Sequence, residues 1–155
     1  MAQNSILQNV YLFKGMDAKE LQAIAETGKT VNYNSGDSIF IKGEESTALY
    51  LIKHGSVKIS QTTKSGDNLL VATLGTGSHF GEMGFIDSQP RSATATAAEP
   101  TEVICIPYDK LRQYLGQSKD AAVKFYKEVS HFLCGRLRAT TTDLNFAREK
   151  NLSHF

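Results

Sequence analysis

The sequence predicts a mainly β domain, a small barrel or sandwich, with short helices before it and a long helix after it. Three observations carry this. Between residues 28 and 107, short runs rich in Val, Ile, Thr, Tyr and Phe alternate with turn signals, which is the pattern of an all-β architecture. On either side of that span, apolar residues recur at helical spacing instead. The chain has 155 residues, 41% of them apolar, enough for one packed core and one domain over 1–155.

Residues 1–27 read as a helical segment. Ile6, Val10, Leu12 and Phe13 form an apolar cluster, and Asp17-Ala18-Lys19-Glu20 has the form of a capping box. In such a box Asp17 accepts from the N3 amide while Glu20 reaches back. Leu21, Ile24 and Ala25 follow at helical spacing. Strands are expected at 30–33, 38–41, 49–53, 57–62, 69–74, 93–97 and 102–106. Asn34-Ser35-Gly36-Asp37, Lys42-Gly43-Glu44, His54-Gly55 and Ser65-Gly66-Asp67-Asn68 separate several of them, with glycine supplying turn conformations. After Pro107, Asp109 to Leu115 reads as a short helix ending near Gly116. Ser118 can cap a second one from Lys119 to about Lys150, roughly 50 Å long. Gly135 weakens that helix locally by about 1 kcal/mol relative to Ala. There is no internal repeat, low-complexity tract or linker.

Composition narrows the function classes. Seventeen Lys and Arg against sixteen Asp and Glu leave a net charge of +1, so no bulk charge recruits nucleic acid or an anionic membrane. No apolar run nears the roughly 18 residues of a membrane span. Met1-Ala2-Gln3-Asn4-Ser5 lacks the basic patch and apolar core of a signal peptide. A soluble cytoplasmic protein is expected. Two cysteines are too few for a disulfide scaffold or a cysteine zinc site. Cys105 lies in the apolar run 103–106 and is expected to be a buried structural thiol. No redox role is read for Cys134.

One segment does not look like an ordinary hairpin connection. Residues 75–94 read Gly75-Thr76-Gly77-Ser78-His79-Phe80-Gly81-Glu82-Met83-Gly84-Phe85-Ile86-Asp87-Ser88-Gln89-Pro90-Arg91-Ser92-Ala93-Thr94. Gly81 allows backbone to approach a ligand closely. Glu82 to Ile86 can form one helical turn whose free N–H groups face an anion. Arg91 can grip a phosphate with two N–H groups. Glu82 can only accept, so it suits a hydroxyl. One anion, one hydroxyl and an apolar wall describe a nucleotide. A plain Glu82–Arg91 salt bridge is the alternative.

These residues resemble the phosphate-binding cassette of the cyclic nucleotide-binding domain family. Its pattern is Phe-Gly-Glu, a small or apolar pair, then Pro-Arg-x-Ala-Thr. The matching residues are Phe80-Gly81-Glu82, Met83-Gly84-Phe85 and Pro90-Arg91-Ser92-Ala93-Thr94. The strand region is similar too, in Gly36-Asp37-Ser38-Ile39-Phe40, Gly43-Glu44, Leu49-Tyr50-Leu51-Ile52 and Gly55-Ser56-Val57. The resemblance spans about residues 6–150. It implies a β-roll or jelly-roll over 28–107, with the cassette at 80–94 and closing helices over 109–150. It also implies roles. Glu82 would accept from the ribose 2′-hydroxyl. Arg91 would neutralise the cyclic phosphate, helped by amides from Gly81, Glu82, Met83 and Gly84. Ser92 would bond a phosphate oxygen or the base, and Ile59, Val71, Ala72 and Phe80 would line the pocket.

In the long helix, Leu133, Leu137, Thr140, Leu144 and Ala147 are spaced 4, 3, 4, 3, a coiled-coil seam. A helix packed only on the barrel is the alternative. An Arg-Leu pair followed by Thr140 and Thr141 resembles the closing helix of the family's catabolite-activator branch. By that resemblance the helix makes a homodimer, with Thr140 meeting the purine in its own subunit and Thr141 in the partner. The branch's DNA-binding region has no counterpart before Phe155, so a stand-alone sensor or a cut piece is expected, with no direct nucleic-acid contact. Residues 145–155 read as a tail that docks elsewhere or folds back.

The expected function is therefore a regulatory sensor, not an enzyme, with neither a cofactor nor a metal. It binds a cyclic purine nucleotide and signals through the long helix to an unidentified protein. The hydroxyl pair points to cAMP. Ser92, which can serve a guanine 2-amino group, keeps cGMP open, and a cyclic dinucleotide stays open too. Two other classes compete with this reading. A cupin-like metal enzyme needs clustered imidazoles and a carboxylate. His54, His79, His131 and His154 include no His-x-His pair, and His79 with Glu82 makes half a site. A plain dimerisation module would bind no nucleotide.

Overall fold

The computed structural model describes residues 6–152 of the chain. The first five residues, and the last three of the tail noted above, lie outside the described residues. A 3-10 turn at Tyr11–Phe13 leads into helix α1, Ala18–Thr27. Its capping box forms as the sequence predicts. Asp17 Oδ1 accepts from the Glu20 amide at 2.8 Å and Glu20 Oε1 from the Asp17 amide at 2.9 Å.

Eight strands follow: β1 Lys29–Tyr33, β2 Ser38–Phe40, β3 Ala48–His54, β4 Ser56–Thr62, β5 Asn68–Gly75, β6 His79–Phe80, β7 Thr94–Ala97 and β8 Thr101–Pro107. They make two antiparallel four-stranded sheets, ordered β1-β8-β3-β6 and β2-β7-β4-β5. The chain passes repeatedly from one sheet to the other, in jelly-roll fashion. The barrel expected from sequence is thus two facing sheets without a closed hydrogen-bond circuit. Strand β6 was not expected, because two residues are too few to show a period.

Alternation along the strands divides the core. Leu49, Leu51, Ile104 and Ile106 point to one side and pack with Leu12, Phe13, Ile24, Leu111 and Phe125 under the helices. Ile52, Val57, Phe40, Phe80 and Ala95 fill the space between the sheets. Strand β8 is buried on both faces, which explains its unbroken apolar run. Cys105 lies within it, as expected, while Cys134 is exposed.

Helix α2, Met83–Asp87, interrupts the strands. Helix α3, Tyr108–Gln117, follows β8. Helix α4, Lys119–Leu152, is 34 residues long, and Ser118 Oγ accepts from the Ala121 amide at 3.2 Å to start it. Ala121, Phe125 and Val129 anchor it to the body, each large side chain contributing about 1.5–3 kcal/mol by burial. Lys124 adds a 2.7 Å ion pair to Glu20 on α1. Among the described residues no helix is long and apolar enough to cross a membrane.

Candidate functional site

The connection from β6 through α2 to β7 wraps one wall of a cavity of about 210 Å³. Two glycines let it do so. Gly81 has φ +81°, in the left-handed region that side chains avoid. A Cβ there would lie 2.8 Å from Arg91 Nη1 and 3.2 Å from the Ala48 carbonyl. At Gly84 a Cβ would collide with the Ser46 side chain and sit 3.1 Å from the Tyr108 hydroxyl. Gly81→Ala is therefore expected to cost about 1 kcal/mol or more, a drop in Tm of roughly 3 °C or more for a domain this size. An unchanged melting curve would show that the turn tolerates a side chain.

Arg91 is 6% exposed, and no carboxylate lies within ion-pair distance of it among the described residues. Its Nη2 donates to the Ala48 carbonyl at 2.7 Å, and its Nη1 to the Gly81 carbonyl at 3.1 Å and the Tyr108 hydroxyl at 3.2 Å. The guanidinium stacks 4.0 Å from the Phe40 ring centre. Its buried Nε has no hydrogen-bond partner. Burial pushes the Tyr108 phenol up, against the opposing pull of Arg91. The hydroxyl therefore stays neutral, accepts from Arg91 and donates to the Gly81 carbonyl.

Glu82 is 8% exposed. It forms no bond with Arg91, so the plain salt bridge between the two is not what this structure contains. Instead Glu82 Oε2 lies 3.5 Å from His79 Nδ1. Glu82 precedes α2 as its cap residue, yet its side chain makes no capping hydrogen bond.

Of the residues singled out in the sequence, Gly81, Glu82, Met83, Gly84, Arg91, Ser92, Ile59, Val71 and Phe80 all line this cavity. Ser92 Oγ rests 3.9 Å from Met83 Sδ. Ala72 is not a lining residue. It sits opposite Ile59 in register. The register shift between Ile59 and Ser60 leaves the larger Val71 to do the lining. Thr140 and Thr141 do not line it either and are exposed on α4. Several further lining residues have no ligand-binding role assigned from the sequence, His79 and Arg136 among them. His79 stood in a presumed loop. Arg136 was passed over as half of the Arg-Leu pair, although it lies one helical turn before Thr140 on the same face, and that spacing was the signal.

The cavity thus offers a buried guanidinium, a buried acceptor and an apolar wall of Phe40, Ile59, Val71, Leu74 and Phe80. It fits a ligand with an anionic group, a hydroxyl and a flat apolar part. Among the described residues no group of three or more His, Cys, Asp or Glu is placed to hold a metal ion.

Comparison with known proteins gives matches. A family model for the cyclic nucleotide-binding domain matches residues 30–118. A CRP-like cAMP-activated global transcriptional regulator from Mycobacterium tuberculosis is 26% identical over 141 residues, covering 91% of this chain and 61% of that protein. The cGMP-dependent protein kinase 2 of Homo sapiens is 30% identical over 132 residues, 84% of this chain and 16% of the kinase. The crystal structure of the Thermus thermophilus catabolite activator protein superposes with a TM-score of 0.79 at 29% identity, over 88% of this chain and 62% of that one. The chain spans less than two thirds of each of these relatives.

Proposed function

The chain belongs to the cyclic nucleotide-binding domain family, and on that premise we propose that it is a regulatory sensor whose ligand is cAMP. One observation carries this reading: the buried Arg91, unpaired with any carboxylate among the described residues, faces the same cavity as the buried acceptor Glu82. A buried cation is costly unless an anion accompanies it. The cyclic phosphate is that anion, held by Arg91 with help from the first amides of α2. Glu82 accepts from the ribose 2′-hydroxyl. The purine lies along Ile59, Val71 and Phe80.

Signalling runs through α4. Arg136 already reaches the cavity, and Thr140 follows about 6 Å further along the helix axis. Closure of α4 over the base would bring Thr140 in from its own subunit and Thr141 from a second copy. Such a shift is coupling between the ligand site and an output surface. Ser92 at the cavity wall favours cGMP as the second reading.

Calorimetric titration with cAMP, cGMP and cyclic di-GMP tests this. Two neutral hydrogen bonds, each netting about 1 kcal/mol, should give cAMP a ten- to thirty-fold advantage over cGMP. Thr140→Val with Thr141→Val should remove it. A wild type that prefers cGMP, or a double variant that keeps its full preference, would reject the role given to the threonines. Absence of binding to all three ligands would reject the sensor.

A further inference from the structure

We propose that His79 is a positioning residue for Glu82: its Nδ1–H holds one carboxylate oxygen, so that the other is presented to the ribose 2′-hydroxyl. The inference rests on the nucleotide reading above and adds a group to it.

His79 stands on β6, opposite Leu51, three residues before the acid. It is 6% exposed, and both ring nitrogens are buried without a hydrogen-bond partner. Buried polar groups left unpaired bear their full desolvation cost, so the imidazole needs a partner. The carboxylate is the group placed to provide one, with Oε2 at 3.5 Å from Nδ1. A shift of about 0.5 Å makes an ordinary N–H to O hydrogen bond.

Glu82 has the complementary need. Its carboxylate is buried, is not used to cap α2 and, among the described residues, has no basic side chain within 4 Å but the His79 imidazole. A glutamate with three free torsions is a poor acceptor unless something fixes it. His79 can fix it because His79 is itself held. The β-ladder fixes its backbone, and the Phe132 ring of α4 packs against the imidazole, with ring centres 4.4 Å apart at 62°. The same imidazole therefore touches the cassette acid and the output helix.

The test compares cAMP with 2′-deoxy-cAMP in wild type, His79→Phe and His79→Gln. Phenylalanine keeps the ring against Phe132 but cannot donate, whereas glutamine keeps an N–H donor. The Phe variant should lose about tenfold in affinity for cAMP, the size of one hydrogen bond to a charged group, and less than twofold for 2′-deoxy-cAMP. The Gln variant should recover most of the cAMP affinity. In the unaltered protein, the Nδ1 resonance of His79 should move on binding cAMP and stay in place on binding 2′-deoxy-cAMP. Equal losses for both ligands in the Phe variant, or an Nδ1 resonance that responds alike to both, would overturn the role of His79 while leaving the nucleotide site standing. A wild type that binds neither ligand would overturn both.

Discussion

Replacing Arg91 with alanine is expected to give a folded protein that has lost most of its affinity for cyclic nucleotide. Truncating one partner of a buried, hydrogen-bonded charge pair costs about 2–5 kcal/mol, roughly thirty-fold to several-thousand-fold in dissociation constant. The fold should tolerate the change for a specific reason. Three hydrogen bonds to the Ala48 carbonyl, the Gly81 carbonyl and the Tyr108 hydroxyl disappear, but a desolvated cation lacking a carboxylate goes with them. The two effects oppose each other, so the melting curve without ligand should move little. The contrast appears with ligand. At a hundredfold excess over the dissociation constant, ligand should stabilise wild type by about 2.7 kcal/mol, and at the same concentration the variant should gain almost nothing. Arg91→Lys should fall between the two, since an ammonium keeps the charge but not the planar fork. Unchanged affinity in Arg91→Ala would remove the phosphate from this cavity.

The second large effect concerns association. Helix α4 carries an apolar stripe that its own subunit does not cover. Val123 is 67% exposed, Leu137 67% and Leu144 51%, and Tyr126 and Leu133 lie on the same face. Leu133 alone among the seam residues packs partly on the body. The protein is expected to be a dimer along this stripe in light scattering, with ligand present. Leu137→Glu combined with Leu144→Glu should give a monomer, because two buried charges at one seam face their like across the axis. Leu137 and Leu144 do not line the cavity, so each monomer should still bind nucleotide, though less tightly if Thr141 serves the partner. A wild type that stays monomeric at high concentration would refute the seam.

Much of this molecule was legible because local chemistry and global fold agree in it. The Asp17–Glu20 box is written in four residues and forms as written. Strand limits fell within a residue or two wherever turns carry Gly with Asn or Asp. The cassette was legible because its glycines are needed for geometry: one for a left-handed turn, one for a close approach to Ser46. What was hidden depends on three dimensions. His79 acquires meaning only when β6 pairs with β3 and brings α4 beside it. Arg136 matters only once α4 lies across the cavity mouth. Ala72 was expected at the wall, with Val71, from the family resemblance, and the bulge between Ile59 and Ser60 that separates the two is not visible in one strand's sequence.

From Cys134 to Glu149 every residue of α4 is exposed, with Gly135 near the start of the stretch. An isolated helical stretch of that length is marginal in water. Where a second copy covers this stretch, folding of this half of the helix and self-association are coupled in one equilibrium. Circular dichroism should then report more helix at higher protein concentration, and amide exchange beyond Gly135 should slow as protein is added while exchange between the sheets stays constant. Under that coupling, how much of the helix exists at a given moment depends on how much protein is present.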